Sequence, residues 1–213
     1  MDQIATYLPG ILLAYAAFLL SIMSPGPNVL AIMGTSMSIG RRNGVSLAMG
    51  VATGSFVWAM LTAAGLSALI ASYAIVLTAI KIVGGLFLLW LAYKAFKSAA
   101  SAHDIEAQKP DNAARSRVGF FFRGFTIQMT NPKAALAWIA IISLGLSAQA
   151  PFWVAFVIVA GTTILSVVIH LVYALAFSTP PMVRLYAKMR RWVQGTLGIF
   201  FTFAGLKLLT SKT

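Results

Sequence analysis

Six stretches of this chain, roughly 12–39, 45–69, 75–96, 119–146, 152–177 and 193–211, are almost entirely apolar. Each reaches or approaches the length of about 20 residues that carries a helix across a hydrocarbon core. They are too long for strands and lack the alternation of an outer-membrane barrel. Unpaired backbone is costly in lipid, so the stretches are expected to be helices. Composition agrees: hydrophobic types make up 60% and charged types 9% of the residues, and the mean hydropathy is +0.88. A soluble domain carries about 25% charged residues, so a water-soluble globule and a disordered chain are both excluded. The expected fold is an all-α integral membrane protein with six transmembrane helices.

The segment between the third and fourth stretches, Ser98 to Val118, is different. It holds Asp104, Glu106 and Asp111, three of the four acids in the chain. It reads as a polar linker (98–118) between two three-helix halves, 1–97 and 119–213. Basic residues then set the orientation. Arg41 and Arg42 lie in the first loop. Lys94, Lys97, Lys109, Arg115, Arg117 and Arg123 lie in and around the linker, and Arg184, Lys188, Arg190 and Arg191 in the last loop. Only Lys81, Lys207 and Lys212 fall on the other side, and Lys133 lies inside a span. Twelve against three puts the first, third and fifth loops in the cytoplasm and both termini outside. The net charge of +12 is thereby a loop bias; no basic helical face or aromatic–basic stripe calls for nucleic acid. Met1-Asp2-Gln3 supplies no basic leader of the kind a cleaved signal peptide uses.

Two pairs of segments suggest a repeat. Pro27–Gly40 lies on Pro132–Gly145 with Pro, Ser and Gly coinciding, and Gly84–Ser98 lies on Leu197–Ser211 with Gly, Phe, Lys and Ser coinciding. The middle helices match less well. An odd number of spans per half forces opposite topologies, so the halves would be inverted repeats, a plan that secondary transporters use with the site near mid-membrane.

The first and fourth stretches each contain a break. In Ser24-Pro25-Gly26-Pro27-Asn28 both prolines remove an N–H and displace the carbonyl four residues earlier, those of Ser21 and Met23. Gly26 lets the chain bend without a Cβ clash. In Thr130-Asn131-Pro132-Lys133, Asn131 suits an N-cap and Pro132 the first helical position. With inverted halves, the two following half-helices point in opposite directions and their starts meet at mid-depth. Free N–H groups at those starts and the Lys133 charge favour an anion, and freed carbonyls favour a cation. A zwitterion satisfies both, which points to an amino acid. The candidate substrate-binding residues are Ser24, Pro25, Gly26, Pro27, Asn28, Asn131, Pro132 and Lys133. The plainer account of one such break is packing, since kinks are ordinary in membrane helices.

Ser24-Pro25-Gly26-Pro27-Asn28, Gly50-Val51-Ala52-Thr53-Gly54, Gly84-Gly85-Leu86-Phe87-Leu88 and Asn131-Pro132-Lys133-Ala134, in this order and with the polar linker between, resemble the LysE/RhtB amino-acid exporters. The resemblance covers nearly the whole chain. It implies a six-helix bacterial inner-membrane exporter driven by the proton gradient, nearest to the homoserine/threonine branch through Trp58 and the Gly84–Tyr93 stretch. Many relatives carry an Asp where Ser55 stands, and no span of this chain contains Asp or Glu. His170 is then the span residue whose side chain ordinarily titrates near neutrality. Ser55, Gln128 and His170 are candidate pathway or coupling residues, with a structural role for His170 kept beside the functional one. Thr53, Thr62, Thr162, Thr163 and Ser166 either line a path or serve helix contacts, and Gly50 and Gly54 form a GxxxG pattern.

Other classes fare worse. There is no Cys, and His103 and His170 fit no metal-ligand spacing, so neither a metal site nor any other cofactor is expected. An intramembrane serine hydrolase lacks a GxSxG elbow, and an ATP-driven pump lacks GxxxxGK[ST]; no catalytic residue is assigned. A cation channel or carrier wants carboxylates or thiolates within the spans. The expected partners are an amino acid, protons and the lipid bilayer, with a homo-oligomer left open.

Overall fold

The computed structural model describes residues 3–24, 26–72, 74–101, 116–147 and 149–210. Among these there are eight helices and no strand: α1 (Gln3–Met23), α2 (Pro27–Ser38), α3 (Arg41–Ser72), α4 (Ala74–Ala100), α5 (Arg117–Met129), α6 (Pro132–Gly145), α7 (Phe152–Ala176) and α8 (Pro180–Thr210). The first and fourth apolar stretches are each split in two, and the others are single helices. Five helices are long and apolar enough to cross a membrane, and α6 is a shorter apolar one.

Several boundaries differ from the sequence reading, most of them for one reason. Charge ends an apolar stretch without ending a helix, because Lys and Arg are good helix formers. Arg184, Lys188, Arg190 and Arg191 therefore lie in the first half of α8 and not in a loop. Lys94 and Lys97 lie in α4, which runs through Ala100, and α5 has begun by Arg117. The polar segment is shorter at both ends than 98–118, and its acids lie outside the described residues. The first helix also starts well before residue 12.

The starts of α3, α5 and α8 and the end of α4 gather at one basic end of the bundle. There the Ser46 hydroxyl donates to the Arg117 carbonyl at 2.5 Å, and Arg190 Nη2 donates to the Ser101 carbonyl at 2.5 Å. At the opposite end the Tyr7 hydroxyl donates to the Gln149 carbonyl at 3.0 Å, and the Tyr7 and Trp153 rings meet edge to face. α1 lies along α6 in the reverse direction, with Gly10 against the Gly145 backbone. α4 lies along α8, where Gly85 and Gly205 bring the two backbones together.

The main core joins α1, α3, α4, α6, α7 and α8 around Phe18, Trp138, Ile142, Ile158 and Phe201; a second core joins α2, α3, α5 and α7 around Ile32, Leu47 and Val51. The second depends on glycine. A Cβ on Gly50 would strike the Phe121 carbonyl, and one on Gly124 the Leu47 carbonyl. Gly54 is pressed against the Gln128 side chain, with a built Cβ only 2.9 Å from it. The GxxxG face of α3 thus receives α5 and fixes where Gln128 sits. The hydroxyls of Thr53, Thr162 and Thr163 turn back onto carbonyls of their own helices, which satisfies them locally.

Candidate functional site

The two breaks meet. Gly26, between α1 and α2, is extended (φ −137°, ψ −178°), the backbone a residue before proline is pushed into. Asn131, between α5 and α6, is also extended (φ −81°, ψ 109°). Pro27 and Pro132 each open the following helix, where the missing N–H costs nothing. Pro25 lies outside the described residues.

Across the gap, Lys133 Nζ donates to the Ser24 carbonyl at 3.0 Å. Asn131 Nδ2 donates to Asn28 Oδ1 at 3.3 Å, Asn28 Nδ2 donates to Gln128 Oε1, and Trp58 Nε1 donates to the Gln128 carbonyl at 3.2 Å. Side chains from α2, α5 and the second break thus form one amide chain, tied to α3 through Trp58 and the main-chain carbonyl of Gln128, with Gln128 and Asn131 buried.

Three details depart from the sequence reading. The start of α6 offers few free N–H groups: the Asn131 side chain accepts from Lys133 N at 3.0 Å and its carbonyl accepts from Ala134 N at 2.9 Å. The start of α2, by contrast, has no side-chain cap, since Gly26 occupies that position, in line with the sequence reading. The carbonyl that holds a cation is that of Ser24, rather than those of Ser21 or Met23, and the cation is the protein's own Lys133. Gly26 is not demanded by its dihedrals either. A Cβ there would lie 3.4 Å from Lys133 Nζ, an ordinary contact, so what the glycine leaves is room for the lysine.

Two cavities flank this junction. A small one of about 50 Å³ is lined by Asn28, Ser55, Gln128 and His170 on its polar side and by Phe18 and Trp138 on its apolar side. By a measure in which one water takes roughly 10–15 Å³, that is room for a few waters. A larger one of about 630 Å³ opens beside Trp90, Lys94, Ser98 and Gln194, toward the basic end. Ser24, Gly26, Asn131 and Lys133 line both. Pro27 and Pro132 face only the larger. His170 is buried, and its Nδ1 lies 2.8 Å from the Ser166 carbonyl. A carbonyl only accepts, so that nitrogen carries the proton and Nε2 of the neutral ring is an acceptor. Of the hydroxyl residues singled out on α3 and α7, only Ser55 lines the small cavity.

A protein-family comparison matches residues 19–212 to the family described as LysE type translocator. The chain belongs to that family. Among curated relatives, this LysE type translocator is 31% identical over 210 residues to the uncharacterised membrane protein YahN of Escherichia coli K12, covering 98% of the chain and 93% of the relative. It is 28% identical over 194 residues to a threonine efflux protein of Salmonella typhi (91% and 94% covered). It is 28% identical over 214 residues to a leucine efflux protein of Klebsiella pneumoniae (98% and 95% covered). No solved structure matches it. The translocator is a multi-pass membrane protein, as its apolar helices require.

Sequence reasoning missed the aromatic walls, Phe18 with Trp138 and Trp90 with Lys94. It also missed the Trp58–Gln128 bond. Phe18 and Trp138 lie 5.1 Å apart between ring centroids, and Lys94 Nζ sits 4.5 Å over the Trp90 ring. A Trp in an apolar run carries no local mark of facing a cavity. The spacing of Trp90 and Lys94, one helical turn, was the one usable signal for the second pair.

Proposed function

We propose that this translocator exports a small neutral amino acid, of the threonine or homoserine kind, from the bacterial cytoplasm across the inner membrane, using the proton gradient. The observation that carries the reading is the junction itself: two proline breaks from distant parts of the chain, joined by Lys133 to Ser24 and by Asn131 to Asn28. The chain's similarity to a threonine efflux protein and a leucine efflux protein supports the reading.

The ammonium of the amino acid goes to the Ser24 carbonyl. Its carboxylate goes to the uncapped start of α2 and to spare N–H groups of the Asn28, Asn131 and Gln128 amides. The basic end is cytoplasmic, both termini are outside, and the larger cavity is the entry from the cytoplasm. The small cavity expands into the occluded site as the bundle rearranges. Two inverted halves are supported by the antiparallel pairing of α1 with α6 and of α4 with α8.

Uptake into everted membrane vesicles tests this reading. With labelled threonine, homoserine and leucine, accumulation above vector vesicles is expected, and it should disappear with an uncoupler. Absence of accumulation for the whole panel would remove the reading.

A further inference from the structure

We infer that Lys133 is a tethered competitor for the ammonium group of the transported amino acid, so that substrate binds only as Lys133 gives up a proton. This rests on the export reading above and says how proton and substrate are exchanged at its site.

Lys133 Nζ donates to the Ser24 carbonyl, the acceptor proposed for the substrate's ammonium. Two ammonium groups sharing that one carbonyl would stand in contact with each other at the mouth of the small cavity. Among the described residues there is no carboxylate to hold either of them. Two cations at one neutral acceptor repel strongly in a poorly solvated site. A lysine relieves that by becoming an amine, a change open to Lys and closed to Arg.

Position makes the exchange directional. Lys133 lines both cavities, so its proton can leave to water in the larger one while the freed carbonyl is offered to the smaller. The charged and titratable groups that face this junction are Lys94 across the larger cavity and His170 across the smaller. Lys94 rests on Trp90, and His170 is fixed through Nδ1 to the Ser166 carbonyl. Neither touches Ser24. The balance is one amino acid bound as a zwitterion, one ammonium converted to an amine, and one proton delivered to water. Reprotonation of Lys133 from the other side restores the bond to Ser24 and ejects the substrate.

Purified protein in weakly buffered detergent, titrated with threonine, homoserine and leucine, tests the inference. Wild type should release one proton per amino acid bound, and its affinity should rise by about tenfold per pH unit until Lys133 is an amine. Lys133→Met should bind without proton release and with affinity independent of pH. Lys133→Arg, unable to vacate the carbonyl, should bind at least about tenfold more weakly at every pH. Retained, pH-independent binding in Lys133→Met beside weakened binding in Lys133→Arg separates competition from misfolding. Wild-type binding with no proton release overturns the inference alone. So does loss of binding in Lys133→Met, which would make Lys133 a substrate ligand, and so does loss of proton release in His170→Gln while Lys133→Met retains it. If wild type binds none of the three amino acids, the export reading falls, and this inference with it.

Discussion

At the second break Asn131 caps the helix that follows it, and the Thr130 hydroxyl returns to the Thr126 carbonyl at 2.8 Å. At the first, the helix that follows begins behind a glycine without a side chain, and the Ser24 carbonyl is held from outside by Lys133. One break is closed by its own residues. The other is completed by a residue of the opposite half. Proline alone therefore does not decide what a helix break can do; what decides it is whether the polar groups set free are satisfied locally or left for a partner. The self-capped break is suited to be a fixed support. The open one is suited to exchange ligands.

The largest effect expected from upsetting this contrast is that of Lys133→Ala. Uncoupler-sensitive efflux should fall to the vector level, with the protein still present in the membrane by immunoblot; efflux at wild-type rate would remove the contrast altogether. Next comes the fixed break. Asn131→Ala removes a cap worth about 1 kcal/mol and the bond to Asn28, and efflux should be abolished. Asn131→Ser keeps a capping oxygen and should recover part of the rate, which vesicle uptake would reveal. At the open break Gly26→Ala should be nearly silent, whereas Gly26→Leu should push Lys133 from Ser24 and slow uptake by more than about tenfold, by the usual cost of overpacking. Equal rates for the two would show that the lysine does not need that space. The smallest effect belongs to Trp58→Phe, which keeps the ring but loses one hydrogen bond to Gln128, for about 0.5–1.5 kcal/mol and a two- to tenfold change in substrate affinity.

Much of this was legible in the sequence because proline chemistry is local. Pro27 and Pro132 announce helix starts, Asn131 announces a cap, and membrane-length apolar runs announce helices. What was not legible depends on packing between segments 70 to 109 residues apart. Nothing around Ser24 says that its carbonyl, rather than that of Ser21 or Met23, will meet Lys133. Nothing around Gln128 says that its carbonyl accepts from Trp58. The basic half of α8 was misplaced because hydropathy marks where lipid ends, while the helix continues beyond it.

The bond between Lys133 and Ser24 leaves a lone positive charge with a neutral acceptor. A charge held that way feels voltage. Carried through the whole field, it gains or loses about 2.3 kcal/mol per 100 mV. On the exchange proposed above, in a cell that is electrically negative within, the protonated carrier would be drawn inward while the neutral zwitterion travels out unopposed. The battery of the membrane, and not acidity alone, would then drive the cycle.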